Sequence, residues 1–326
     1  MQLPEELQQA IKIESQRFDL KNLQKAYEEL SLSYRHPHNA KKNFITSDLQ
    51  RCAYLLARLP ATYAAITYVL QELVERTPTN TIKTLLDVGC GPGSASWAAQ
   101  QIFPTLHQFT LLEKDLHLLR LGQRLAASHP HSFFREAQWL TYDLEDYNNS
   151  AFPTKDLVIL SYCIGELSCS AIPIVIEKCW QAAEEFLIII EPGTPAGFDR
   201  IRQIRKQLIN LDGTLLAPCP HMQQCPDWCH FATRLERSQT HRHLKMGALN
   251  YEDEKFSYLI FTKKALTQKY HRIIRHPTKH SGHVSLKLCT AHGDIAQTII
   301  SKKNQTLYKT ARQLEWGDTL DINVSL

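Results

Sequence analysis

Thr84 to Gln100 reads TLLDVGCGPGSASWAAQ, and this stretch decides the fold. Thr84 to Val88 is a short apolar run ended by a turn, the pattern of a strand buried on both faces. It carries one acid, Asp87, after which Gly89, Gly91 and Gly93 recur at every second position. Ser94 to Ile102 follows with helix-favouring residues, and Ser94 is placed to cap that helix. Strand, glycine turn and helix in that order leave bare backbone where side chains would otherwise stand. A ligand can then approach the chain closely and meet the N–H groups of the helix's first turn.

The same alternation continues downstream. Phe109 to Leu112 reads as a second strand, closed by Glu113 twenty residues past Gly93, where a carboxylate can accept from both ribose hydroxyls. Leu140, Thr141, Tyr142 and Asp143 end a third strand, with Asp143 set to meet an adenine amino group. Asp156 to Ser161 is the fourth and Phe186 to Ile190 the fifth. Helical segments lie between them, and such alternation demands a parallel sheet with right-handed crossovers, an α/β Rossmann-like architecture. The spacing Asp-x-Gly-x-Gly-x-Gly departs from the dinucleotide fingerprint. It resembles motif I of class I methyltransferases, whose ligand, S-adenosylmethionine, carries a sulfonium and an amino-acid tail in place of phosphates. The resemblance implies a cofactor held by Asp87, Gly89, Gly91, Gly93 and Glu113, a set that Asp143 and Ser161 complete. Taken alone, the turn also admits a dinucleotide, or no ligand at all.

At 326 residues and 43% hydrophobic, the chain can bury one large domain and smaller additions. No apolar run approaches the ~18 residues that span a membrane. The start, MQLPEELQQAIK, is acidic and amphipathic, unlike a signal or transit peptide. The expectation is a monomer in the bacterial cytoplasm, its nine cysteines serving as thiols or ligands rather than disulfides. The net charge of +4 hides an asymmetry: residues 1–199 balance to −6, residues 200–326 to +10. A basic C-terminal half suits a polyanion such as RNA, and equally a solvated surface without a partner.

In chain order, residues 1–80 read as a helical region, with apolar residues at three-to-four spacing over Glu5 to Phe18, Leu20 to Leu32, Ser47 to Arg58 and Ala61 to Arg76. Pro60 separates the last pair, and His36-Pro37-His38-Asn39 with Lys41 and Lys42 reads as a loop. Residues 81–265 form the expected S-adenosylmethionine domain. After its fourth strand comes Ser161-Tyr162-Cys163-Ile164-Gly165-Glu166-Leu167, without the Asn/Asp-Pro-Pro-aromatic motif of base-amino methyltransferases. Tyr162 could stack there, and Glu166 could accept a proton or simply cap the next helix, so no methyl-transfer mechanism can be read. Glu191 opens a Pro/Gly-rich loop to Phe198 and is either a pocket residue or part of a turn; a basic helix, Asp199 to Ile209, follows. Phe256 to Thr262 reads as a late antiparallel strand. Residues 266–326 read as a basic β appendage, with short strands at Val284 to Leu288, Asp294 to Ser301 and Thr306 to Lys309.

Residues 217–231 read APCPHMQQCPDWCHF, with Cys219, Cys225 and Cys229 in C-x5-C-x3-C order among prolines. Thiolates are soft ligands that select zinc or an iron–sulfur cluster. Cys289, the only later cysteine, could return as the fourth donor. His221 and His230 keep a mixed zinc site open, and a set of redox or buried thiols is the other reading of this spacing.

The runs LLDVGCGPG, SYCIGEL, EPGTPAGF, APCPH and CPDWCHF, with RLERS (Arg234 to Ser238) and NYEDEKFSYL, resemble a methyltransferase-like family. It comprises mitochondrial small-ribosomal-subunit assembly factors and their bacterial relatives. LSLSYR and LARLPATYAA near the start and ARQLEWGD near the end extend the resemblance over nearly the whole chain. It implies S-adenosylmethionine binding, contact with small-subunit rRNA during assembly, and a 4Fe-4S cluster on Cys219, Cys225, Cys229 and Cys289. One departure is a shorter interval between the second and third cysteines than in mitochondrial members. Catalytic activity is unsettled in that family.

Overall fold

The structure, a computed structural model, describes residues 2–35, 45–146, 151–225, 227–266 and 270–321. The loop expected over His36 to Lys42, and Pro226 of the cysteine block, lie outside the described residues. By packing, the chain forms two compact units, Met1–Ala183 with Thr233–Glu254, and Glu184–Ala232 with Lys255–Leu326.

The first unit opens with four helices, α1 (Glu5–Ser15), α2 (Leu20–Arg35), α3 (Asp48–Ala57) and α4 (Leu59–Arg76). Each buries the stripe its periodicity marks, for example Leu7, Ala10 and Ile11 in α1. Ser47 caps α3 by accepting from the Gln50 N–H. Pro60 sits in the first turn of α4, where its missing N–H has no intrahelical partner to lose.

Next come β1 (Thr84–Val88), α5 (Ser94–Ile102), β2 (Gln108–Glu113), α6 (Leu116–Ala126), α7 (Ser132–Arg135), β3 (Gln138–Thr141), β4 (Lys155–Ser161) and α8 (Ala171–Ala182). These strands lie side by side as β3-β2-β1-β4, every pair parallel. Leu85, Leu86 and Val88 of the central strand are fully buried, as a parallel strand with both faces covered requires. Because β2 and β4 flank β1 on opposite sides, the connections diverge there, and such a switch point opens a crevice at the strands' carboxyl ends. One local expectation is corrected. Gly93, not Ser94, takes the N-cap of α5, because the turn enters the helix through a left-handed residue at φ +89°.

The second unit holds β5 (Ala183–Pro192), α9 (Pro195–Asn210) and β6 (Thr214–Ala217). The chain then forms β7 (Phe231–Glu236) and α10 (Gln239–Leu244) before the long β8 (Tyr251–Thr262). β8 runs antiparallel to both β5 and β6, as expected of the late strand. The first unit's parallel β3-β2-β1-β4 run is the Rossmann-like arrangement of class I methyltransferases, and the second unit carries the late antiparallel strand.

From Tyr270 onward the second unit builds another sheet from β9 (Tyr270–Ile273), β10 (Thr278–Lys279), β11 (His283–Cys289), β12 (Ile295–Ser301) and β13 (Thr319–Asp321). The strand expected at Thr306 to Lys309 is instead part of α11 (Gln305–Gln313). Leu307, Tyr308, Ala311 and Leu314 recur at helical spacing and pack on Ile273, Val284, Leu286 and Leu288, while Asn304 accepts from the Leu307 N–H as cap.

Candidate functional site

A cavity of about 600 Å³ opens at the carboxyl ends of the parallel strands in the first unit. Gly89, Gly91, Glu113, Asp143 and Ser161 of the expected set line it. The glycine turn has left-handed backbone at all three positions, φ +65°, +55° and +89°. A side chain there costs roughly 1–2 kcal/mol by itself. At Gly89 a Cβ would also stand 2.7 Å from the Cys163 Sγ. Glu113 holds the turn in place: Oε2 accepts from the Gly91 N–H and Oε1 from the Asp115 N–H, both at 2.9 Å. Burial pushes this carboxyl above the usual range, although the backbone donors oppose it.

Asp87 and Gly93 are not among the lining residues. Asp87 is 1% exposed and turns toward α5, where Oδ2 accepts from the Ser96 N–H at 3.1 Å and the Ser96 hydroxyl at 2.8 Å. Its other oxygen, Oδ1, is buried without a hydrogen-bond partner among the described residues. Burial pushes the Asp87 carboxyl up to about 7, despite the Ser96 bonds. Between about pH 4 and pH 7 the folded chain therefore keeps a proton that the unfolded chain has lost, and stability falls as pH rises through that window. Asp87→Asn is expected to flatten the decline, as read by urea unfolding at about pH 5 and about pH 8; an unchanged difference between the two would show that Asp87 does not titrate there.

The rest of the cavity wall was not legible in the sequence. Arg51, Tyr54 and Thr62 reach it from the N-terminal helices, and Thr46 from the segment before α3. Arg51 forks onto Asp115, with Nη2 2.8 Å from Oδ2 and Nε 3.3 Å from the same oxygen. Asp115 in turn caps α6 by accepting from the His117 and Leu118 N–H groups. Tyr162, just past β4, is a non-glycine residue at φ +58°; its hydroxyl donates to Glu254 Oε1 at 3.3 Å, and Arg58 approaches the same carboxylate at 3.4 Å. A cavity of this size with a carboxylate near its glycine turn can enclose a nucleoside bearing a short tail.

The second chemical cluster lies in the second unit. Cys219, Cys225 and Cys229 line one small cavity with Arg205, Phe231 and Tyr258. Cys229 is pushed well above the usual thiol range by burial, and then by Cys219, Cys225 and Cys289 nearby. Burial, then Cys219 and Cys225, pushes Cys289 up to about 12. Cys289 Sγ lies 3.2 Å from His221 Nε2. Among the described residues, no group of three or more His, Cys, Asp or Glu side chains is arranged to hold a metal ion. Thiolates are soft donors, and Cys229 and Cys289 each lie near Cys219 and Cys225, so the four sulfurs gather in one region of this unit. Tyr270 and Arg272 brace the segment: the Tyr270 hydroxyl lies 3.3 Å from the carbonyls of Leu216, Pro218 and Cys219, and Arg272 Nε donates to the Pro218 carbonyl at 2.9 Å.

Residues 48–321 match the family model described as mitochondrial small ribosomal subunit Rsm22. The chain belongs to the Rsm22 family. It is 27% identical to the human ribosome assembly protein METTL17, mitochondrial, the match covering 82% of this chain and 62% of that protein. It is 24% identical to the Rsm22-cox11 tandem protein 2, mitochondrial, of Schizosaccharomyces pombe, over 89% of this chain and 45% of that one. The chain thus spans about half to two thirds of the length of these relatives. Among solved structures it is similar to magnesium protoporphyrin IX methyltransferase of Synechocystis PCC 6803 with bound SAM (15% identity, TM-score 0.41, 63% and 80% of the two chains). It is also similar to precorrin-6y C5,15-methyltransferase of Geobacter metallireducens GS-15 (14%, 0.41, 69% and 92%).

Other candidates in this Rsm22 family member find different places. Glu191 is fully buried and pairs with Arg200 Nε at 2.7 Å, so it serves the start of α9. Its position at the end of a strand could not reveal the arginine one helical turn inside α9. His230 stacks on Trp228 at 4.4 Å between ring centroids, whereas His221 faces Cys289.

Proposed function

We propose that this Rsm22 family member binds S-adenosylmethionine in the first unit's cavity and holds an iron–sulfur cluster on Cys219, Cys225, Cys229 and Cys289. On this reading it acts on small-subunit rRNA during ribosome assembly, as a monomer in the bacterial cytoplasm. The observation that carries the cofactor is the glycine turn locked by Glu113 at the mouth of a cavity of about 600 Å³. The assembly role is supported by the family and by the +10 balance of residues 200–326. When bound, the cluster supplies four metal–thiolate anchors joining the 219–229 loop to β11 of the same unit.

Two measurements test this. Isothermal titration with S-adenosylmethionine should give saturable binding; no heat at millimolar ligand would remove the cofactor. Anaerobically purified protein should contain about four iron and four sulfide per chain, whereas one zinc without sulfide would replace the cluster by a zinc site. Cys225→Ser is expected to lose the iron and to lower the stability of the second unit, because cluster binding is linked to folding. Normal iron content and melting in that variant would sink the ligand assignment.

A second reading, an active rRNA methyltransferase with a structural zinc or 4Fe-4S site, is favoured by Tyr162. That residue holds a left-handed backbone at the edge of the cavity, and such strain concentrates where function demands it. Transfer of labelled methyl from S-adenosylmethionine to small-subunit rRNA, abolished in Tyr162→Ala but not accompanied by loss of cofactor binding, would establish it.

A further inference from the structure

Trp228 is the one exposed tryptophan of the five, at 40% exposure, and it sits inside the cysteine loop between Asp227 and Cys229. One face of its ring is backed by a train of aromatic groups. His230 stacks against it at 4.4 Å and 26°, Trp316 meets His230 edge-on at 5.0 Å and 85°, and His276 meets Trp316 at 4.9 Å and 74°. With His230 covering one face, the exposure falls on the opposite face and edge.

The backbone beneath is held as firmly. Arg275 Nη2 donates to the Trp228 carbonyl at 3.1 Å and to Asp227 Oδ2 at 3.2 Å, and Lys287 Nζ reaches the same carboxylate oxygen at 3.0 Å. One carboxylate facing two cations leaves a surplus positive charge beside the Asp227–Trp228 backbone, and the Arg275 and Lys287 side chains are 33% and 41% exposed. A flat ring held from behind, with cations beside its backbone, meets both needs of an unpaired nucleotide: a π-face for the base and positive charge for the phosphate.

We propose that Trp228 is a base-stacking platform for single-stranded RNA, with Arg275 and Lys287 facing the adjacent phosphates. This rests on the RNA-binding reading above and adds the residue and the type of RNA. A protein partner would use the same ring as an apolar anchor, without preference for unpaired bases; the charge surplus at the site and the basic balance of residues 200–326 favour RNA.

The test is fluorescence anisotropy of the full chain with a fluorescein-labelled single-stranded oligoribonucleotide of mixed sequence, and with the same sequence as a duplex. Trp228→Ala is expected to weaken single-strand binding about 5- to 100-fold, and Trp228→Phe to retain most of it. The slope of log affinity against log salt should stay unchanged in Trp228→Ala, because no cation is removed. Adding the unlabelled strand to the wild type should quench tryptophan emission. Full affinity in Trp228→Ala, or RNA binding without quenching, would overturn the platform while leaving the RNA reading intact, and would turn attention to a protein partner. A wild type that binds neither strand nor duplex would overturn both. Iron content and the unfolding midpoint of each variant separate loss of the ring from loss of the loop.

Discussion

Glu113→Ala is expected to weaken S-adenosylmethionine binding by about 100-fold. The carboxylate accepts two backbone N–H groups, from Gly91 and Asp115, and each bond to a charged acceptor contributes about 1.5–3 kcal/mol. Losing both strips the Gly91 and Asp115 N–H groups of this acceptor, loosens a turn that the Cys90 N–H still ties to the Leu112 carbonyl of β2, and removes the acceptors available to a ribose diol; about 3 kcal/mol is roughly two decades of affinity. Glu113→Gln keeps one acceptor oxygen and should fall between the two. Isothermal titration gives the answer directly. A loss smaller than about threefold in the alanine variant would mean that the turn holds its shape unaided and that the ligand does not use this carboxylate.

Glu252→Ala is expected to destabilise the first unit by about 3–5 kcal/mol, the range found when one partner of a buried ionic network is removed. Glu252 accepts from Arg237 at 2.7 Å and from Lys245 at 2.7 and 2.8 Å, with His241 Nε2 at 3.4 Å from the same carboxylate. The Arg237 and Lys245 side chains are 15% and 13% exposed, so their charges cannot simply turn to water, while burial lowers the His241 imidazole below its ordinary range and keeps it neutral at pH 7. Burial pushes the Glu252 carboxyl up, but hydrogen bonds from His241, Lys245 and Arg237 outweigh it and hold the group well below the usual carboxylate range. Its contribution is therefore fully present above about pH 4.5 and lost as the pH falls below that value. Urea unfolding at neutral pH reads the alanine effect, and Glu252→Gln, which keeps an acceptor, should cost less. A change below about 1 kcal/mol in the alanine variant would show that solvent already screens the network.

The first stretch read, Thr84 to Gln100, was legible to the residue in β1 and α5 because its signals are local: an apolar run, then glycines, then helix formers. The cap lies at Gly93, one position before Ser94, because the left-handed conformation of Gly93 is a property of the turn's path. At Thr306 to Lys309 four residues can alternate like a strand, and only the wider spacing to Ala311 and Leu314 reveals the helix. Among the site residues, Gly89, Gly91, Glu113, Asp143 and Ser161 follow from their positions at strand ends, since loops there must face the crevice. The direction of the Asp87 side chain does not, because strand alternation leaves open whether a carboxylate turns to the ligand or to the next helix.

The chain's own pattern of apolar runs, glycines and thiols thus determined the α/β class, the order of the parallel strands along the chain, the glycine turn and the set of candidate sulfur donors. Apart from Cys289, which stands far along the chain from the other three donors, all of these are written in residues that are neighbours along the chain. Tertiary structure alone decided which side chains meet: Arg58 with Glu254 across 196 positions, Arg51 with Asp115 across 64, and His221 with Cys289 across 68. Such partners are chosen by packing, since a buried charge or thiol must be satisfied by whatever group the fold brings to it, and no local spacing records which group that will be.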